Sequence, residues 1–265
     1  MSFETLILEK KENIAKITLS RPERLNAINN ALLTDLYNAL EGCRRDENVR
    51  VVVITGAPRI IEREGVKELK YAFSAGWDMT TFGAPRQAEP PVDVYWYLYE
   101  YEKPTIAMVN GYAFGAGYEL ALRCDFIFAS ENSEIGLPEV ERGFMPGCGG
   151  TQFLPRRVGA VLAKRVCLLG ERISAREAER LGLVDVVVPM EKLQEVTMEC
   201  AKKLASKAPL AVKTIKSVIN RGIELPLEEA LKLEREGLVA LMQTEDFKEG
   251  VRAFFERRQP QWKGR

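Results

Sequence analysis

The chain has 265 residues, 46% hydrophobic and 29% charged, enough length and apolar content for a substantial core in one large domain or two small ones. Lysine plus arginine and aspartate plus glutamate each number 38. The arginine pairs Arg44–Arg45, Arg156–Arg157 and Arg257–Arg258 lie among acids, which disfavours nucleic acid as the main partner. There is no histidine, so a Ser-His-Asp triad, a Cys-His dyad and any His-ligated zinc or haem are excluded.

In chain order, Leu6 and Leu8, then Ile14, Ile17 and Leu19, form two short apolar runs that read as an opening hairpin, stopped by Arg21-Pro22. A helix is predicted from about Asn30 to Cys43, with Leu32, Leu33, Leu36, Tyr37 and Leu40 on one face. Val51–Ile54 is a continuous β-branched run, as expected of a strand covered on both faces. Residues 57–70 are polar without a clear period and read as an inserted surface loop or short helix. Residues 83–93 are rich in Pro and Gly and read as loop. The segment Tyr95–Tyr101 is unusually aromatic. Pro104–Val109 and Phe126–Ala129 are further buried strands, and Gly115-Ala116-Gly117 opens a short helix between them that runs to about Arg123.

Beyond residue 150 helical periodicity dominates, with helices expected over 158–169, 174–181, 193–205, 210–220, 227–241 and 246–257 and a short strand at 183–188. Ser174 with Glu177 has the spacing of a capping box. The division expected is an α/β core over residues 1–200 and a helical subdomain over 201–265. Five scattered cysteines (Cys43, Cys124, Cys148, Cys167, Cys200) without a C-x-x-C pair read as reduced intracellular thiols. The first twelve residues lack the apolar run of a signal peptide. The most apolar stretch, Thr105–Leu122, is broken by glycines and Glu119, so no membrane span is expected. The expected location is the cytoplasm.

Three features can carry chemistry. Gly115-Ala116-Gly117 lies between a strand and a helix, where free N–H groups and the positive end of the helix dipole can stabilise an anion; taken alone, it serves equally well as a tight crossing. Ala72-Phe73-Ser74-Ala75-Gly76-Trp77-Asp78 can turn its amides to a ligand, although as an isolated motif a structural turn is the better reading. Glu119 and Glu139 each sit in an apolar neighbourhood beside a Gly- or Pro-marked turn. Two carboxylates in one apolar cleft would share a proton and divide acid and base roles, whereas a lone glutamate is ordinarily a solvated surface acid.

These features occur in the order and flanking sequence of a known family. Ser20-Arg21-Pro22 with Asn26-Ala27, Ala72–Gly76 with Asp78, and Lys103–Ala107 come first. Asn110-Gly111, Gly115–Gly117 with Glu119-Leu120, and Cys124-Asp125 follow. Gly136, Pro138-Glu139, Pro146-Gly147 and Gly149-Gly150-Thr151-Gln152 complete the set. From Ile14 to the C-terminus the chain resembles the crotonase superfamily, the enoyl-CoA hydratase/isomerase family. The resemblance implies an α/β fold, a spiral of ββα units with a C-terminal helical part that mediates trimers, often paired into hexamers. It implies a coenzyme A thioester as substrate, with no separate cofactor and no metal, and a thioester oxygen held between the backbone amides of Trp77 and Ala116. Glu139 is then the acid that protonates Cα, Glu119 the group that activates water, and Gly147 the glycine beside the water site. Trp77 is bulky where the family often has a small residue, which narrows the pocket. Arg24, Leu25 and Ala27 would line the pantetheine and phosphates, and Ala75, Asp78 and Met79 the adenine. Lys263 would meet phosphate, from a neighbouring subunit.

Glutamates at both positions match hydratases, whereas isomerases commonly keep only the second. The expected reaction is therefore reversible hydration of a 2-trans-enoyl-CoA, ahead of isomerisation, thioester hydrolysis or a non-catalytic RNA- or CoA-binding role. The aromatic segment falls where the family varies most. It reads as packing against the 57–70 segment or a subunit interface rather than as the wall of an acyl pocket.

Overall fold

The computed structural model describes residues 3–63, 66–81 and 88–265. In chain order, β1 (Leu6–Lys11) and β2 (Ile14–Leu19) form the opening hairpin, followed by α1 (Asn30–Arg45) and β3 (Val51–Gly56). Next come β4 (Arg59–Arg63), β5 (Val66–Lys70), β6 (Ala72–Ser74), α2 (Val94–Tyr99), β7 (Thr105–Val109), β8 (Tyr112–Phe114) and α3 (Ala116–Ala121). The chain continues through β9 (Phe126–Ser130), β10 (Glu134–Gly136), α4 (Gly150–Val158), α5 (Ala160–Leu169), β11 (Arg172–Ser174), α6 (Ala175–Arg180) and β12 (Val186–Val188). Four helices close it: α7 (Met190–Ala205), α8 (Pro209–Gly222), α9 (Leu227–Met242) and α10 (Glu245–Glu256).

Two sheets carry the fold. The six-stranded sheet has the order β1-β2-β3-β7-β9-β12, antiparallel only at the β1–β2 hairpin. The four-stranded sheet runs β11-β10-β8-β6. A long strand of the first sheet repeatedly hands the chain to a three-residue strand of the second and then to a helix, as in β7–β8–α3. This is the spiral of ββα units. Alternation along the buried strands explains why they read as unbroken apolar runs. Val52, Ile54, Ala107 and Val109 pack with Leu32, Leu36 and Leu40 of α1. Val51, Val53, Ile106 and Met108 face the other way, onto Leu193, Ala201 and Ala205 of α7.

Several expectations need correction. Residues 57–70 are neither loop nor helix but the antiparallel hairpin β4–β5, paired Ile60 to Leu69, with residues 64–65 outside the described residues. The 83–93 segment is loop over residues 88–93, as expected, and residues 83–87 lie outside the described residues. Helix α4 was not anticipated at all. Ser174 does stand at the start of α6, but its side chain makes no capping bond, and Glu177 accepts from Arg180 rather than reaching back to the cap. Most of the aromatic segment is helix α2, and among the described residues its rings pack on α1, α4 and α8, with no ring contact to the 57–70 hairpin. Tyr97 meets Tyr37, and Tyr99 meets Phe153 at 4.8 Å. The Tyr99 and Tyr101 hydroxyls donate to the carbonyls of Asn220 and Leu40. Among the described residues no helix is long and apolar enough to cross a membrane.

Candidate active site

The site forms where the short strands of the second sheet end. β8 stops at Phe114, and Gly115 takes φ +52° and ψ −129° before α3 begins at Ala116. Only glycine adopts this conformation readily. A Cβ at Gly115 would also stand 3.0 Å from Glu139 Oε1, so this glycine is fixed twice over. The N–H of Ala116, in the first position of the helix, has no intrahelical partner.

Trp77 supplies a second amide by a different route. It forms an isolated parallel bridge with Ile28, in which Ile28 N donates to Gly76 O and Asp78 N donates to Ile28 O, both at 2.8 Å. In a parallel bridge the flanking groups make the bonds, so the N–H of Trp77 itself turns to the opposite side. The two segments adjoin: a Cβ at Gly76 would lie 3.8 Å from the Ala116 nitrogen. Among the described residues neither the Trp77 nor the Ala116 N–H meets an acceptor.

Both amides line a cavity of ≈ 450 Å³ together with Glu119, Glu139, Gly147 and Cys148. Glu119 lies three residues beyond Ala116, on the same face of α3, and is 2% exposed. Its Oε1 accepts from Cys148 N at 2.8 Å and Gly150 N at 2.7 Å. Burial pushes its pKa above the ordinary carboxylate value, against the pull of those two amides and of the Arg123 charge. Glu139, 5% exposed, sits in the 3-10 turn Pro138–Arg142 that follows β10. Burial pushes its pKa up to about 7, the Glu119 charge adds to the rise, and its own backbone N–H and Arg142 oppose it. Its Oε2 is buried without a partner among the described residues. One carboxyl anchored by two amides and one left with an open oxygen are thus held in a single cavity. Such a pair can take a proton at one end and give one at the other.

The other anticipated residues divide. Ala75 and Met79 line the cavity. Asp78 is buried, and its carboxylate binds the Arg21 guanidinium at 2.8 Å and the Thr80 hydroxyl at 2.6 Å. Arg24 is exposed, Leu25 is half-buried with φ +51°, and Ala27 is buried; none of the three lines the cavity. Lys263 stands elsewhere on the chain, its Nζ 3.1 Å from Glu245. The cations in the cavity wall are instead Arg142 and Arg172, and Phe114, Phe144 and Met145 give it apolar surface. Sequence reasoning missed all five. It also missed the Cys148 and Gly150 amides, although the Gly149-Gly150 helix start is the kind of signal that revealed Ala116. Tyr95 was unassigned; its hydroxyl donates to the Ala116 carbonyl at 3.1 Å, behind the cavity wall.

Comparison with known proteins agrees in family and in shape. The family model described as enoyl-CoA hydratase/isomerase matches residues 9–265. The chain is 40% identical over 264 residues to a 2,3-dehydroadipyl-CoA hydratase of Escherichia coli, covering 98% of this chain and 99% of that one. It is 38% identical over 260 residues to a short-chain-enoyl-CoA hydratase of Clostridium acetobutylicum, covering 97% of each. Among solved structures, an enoyl-CoA hydratase from Bacillus anthracis superposes with a TM-score of 0.89 at 35% identity, covering 99% of this chain and all of that one.

Proposed function

The chain belongs to the enoyl-CoA hydratase/isomerase family, and we propose from its site that it is an enoyl-CoA hydratase, adding water reversibly to a 2-trans-enoyl-CoA to give the 3-hydroxyacyl-CoA. The observation that carries this reading is the pair Glu119 and Glu139 in one cavity with the unengaged amides of Trp77 and Ala116. The thioester oxygen accepts from those two amides. As water adds at Cβ the oxygen becomes an enolate, and donors fixed in advance stabilise that charge more than they stabilise the ground state. Glu119 takes the proton from the attacking water, and Glu139 gives its proton to Cα. One proton then passes from Glu119 back to Glu139 to reset the site. Water addition changes no net oxidation state, and both protons and the oxyanion are handled by groups of this chain, so the reading requires no cofactor; coenzyme A is part of the substrate.

The test is pure protein with crotonyl-CoA, following loss of the conjugated enoyl-thioester absorbance and identifying the product. Loss with formation of 3-hydroxybutyryl-CoA is expected. Failure with this thioester and with long, cyclic and branched 2-enoyl thioesters overturns the reading.

The same reading includes self-association as a trimer or a dimer of trimers, and a cytoplasmic location. The support for self-association is apolar surface: α8 and α9 bury no residue. Ile215 and Ile219 of α8 and Ile223 at its C-cap form an exposed stripe, and Phe254 and Phe255 of α10 are more than three-quarters exposed. Apolar patches of this kind mark contact surfaces. Light scattering on the eluting protein is expected to give three or six times the 29.8 kDa of the chain, falling in the double variant Phe254→Glu/Phe255→Glu. A monomer at micromolar concentration contradicts it.

A further inference from the structure

One buried charge beside the cavity has no part in the chemistry above. Arg123 follows α3, four residues beyond Glu119, and is only 7% exposed. Its Nη2 donates to the Cys148 carbonyl at 2.8 Å, and its guanidinium carbon lies 3.4 Å from the centroid of the Phe153 ring. Its Nε and Nη1 are buried without a partner among the described residues. Leaving two donors of a buried cation unpaired is costly, and an apolar side chain of similar size would pack there more cheaply.

The neighbours of the guanidinium indicate a use for that cost. The residue whose carbonyl it holds, Cys148, is the residue whose N–H donates to Glu119, and Gly150 donates to the same oxygen. Gly149, between them, has φ +102°, and a Cβ there would collide with Nη2 of Arg123. Arginine, turn and glutamate are therefore one fitted unit. The charged and titratable groups facing it are Asp93 at the N-cap of α2, Tyr95 and Tyr99 of α2, Glu119 of α3, Cys148 of the turn and, beside Glu119, Glu139. Asp93 is exposed and caps α2 through Tyr95 N and Trp96 N. The cation whose charge acts on Glu139 is Arg142, whose side chain is half exposed.

We propose that Arg123 is a positioning residue for the water-activating step. It grips the Cys148 carbonyl so that the Cys148 and Gly150 amides aim at Glu119, and its unpaired charge keeps Glu119, rather than Glu139, the ionised member of the pair. An isolated cation placed behind one of two coupled carboxyls decides which of them loses its proton first. The acid and base roles rest on the hydratase reading; the order of ionisation does not, and can be measured without substrate.

The experiment is a ¹³C NMR titration of protein labelled at glutamate Cδ, with signals assigned from Glu119→Gln and Glu139→Gln. The wild type is compared with Arg123→Lys and Arg123→Met. In the wild type Glu119 is expected to titrate below Glu139. In Arg123→Met the Glu119 midpoint rises by about one pH unit or more, the size expected for removing a nearby opposite charge. Arg123→Lys stays close to wild type. The acid limb of kcat/KM for crotonyl-CoA follows the same shifts, while KM changes little. Equal Glu119 midpoints in wild type and Arg123→Met overturn the proposal. So does a wild-type order with Glu139 below Glu119, a result that stands even if Arg123→Met does not fold. A protein that titrates as expected but hydrates no enoyl thioester overturns the functional reading and leaves the ordering role of Arg123 supported.

Discussion

Glu139→Gln and Glu119→Gln are each expected to lower kcat for hydration of crotonyl-CoA by about 10²–10⁴-fold, the range for losing a positioned general acid or base. Glutamine keeps the shape and the polar tip of each side chain. Glu119→Gln retains an oxygen to accept from Cys148 N and Gly150 N, so the loss reports proton transfer rather than collapse of the turn. If only Glu139→Gln were inactive, the site would be performing isomerisation; if both variants kept near wild-type rates, the assignment of the site would be wrong.

The same substitution at Glu139 is expected to raise stability. Its carboxyl titrates at about 7 in the fold against an ordinary value of 4.5, so between those pH values the folded state binds more protons than the unfolded one. The contribution of this group is fully present below about pH 4.5 and is lost as pH rises through 7. Above pH 7 the fold bears the cost of a buried carboxylate, at most about 3 kcal/mol, and glutamine never incurs it. Thermal melts at pH 5 and pH 8 check this: Glu139→Gln melts above wild type at pH 8, with little difference at pH 5. Activity follows the opposite logic. Hydration needs Glu139 protonated, so kcat/KM declines on the alkaline side with a midpoint near 7, and Glu139→Gln has no such limb to show.

How much of this was legible in the sequence follows from how each element is built. β3 and β7 were visible because both faces are covered, giving β3 an unbroken run of Val and Ile and β7 a run of small and apolar residues. β6, β8, β10 and β11 were not, because three residues are too few to show a period of two. The β4–β5 hairpin was hidden for another reason: its paired apolar residues Ile60 and Leu69 are both exposed, so no buried face marks it as sheet. In α2 the aromatic rings masked the helix, and the Tyr95 and Tyr99 hydroxyls donate to carbonyls, and that of Tyr97 to the Glu41 carboxylate, on distant segments that no local pattern reveals. Of the site, Glu119, Glu139, Trp77 and Ala116 were found through the resemblance, and their spacing alone left each one ambiguous. Arg123 was invisible, since Leu-Arg-Cys-Asp reads as an ordinary helix end. Its burial arises only when the Cys148–Gly150 turn folds over it. The same holds for Asp78: its carboxylate is engaged by Arg21 across 57 residues, a partner that no local pattern reveals.

The amide half of the site can be tested as directly as the carboxyl half, because Ala116 occupies the one helical position where proline is tolerated. Proline in the first turn of a helix removes an N–H that has no intrahelical partner, and its fixed φ suits the position. Here the Ala116 N–H has no acceptor among the described residues, so Ala116→Pro deletes no bond of the fold. The preceding Gly115 has ψ −129°, outside the α region that a following proline disfavours. The ring also places carbon where the hydrogen pointed, denying the thioester oxygen its donor. Removing one such donor is expected to lower kcat by about 10²–10³-fold, with a near-unchanged melting temperature and unchanged glutamate titrations. The comparison with Glu119→Gln then separates two contributions: the proline variant retains both limbs of the pH profile at a reduced rate, whereas the glutamine variant loses its acid limb. A proline variant with near wild-type kcat would place the developing negative charge somewhere other than the start of α3.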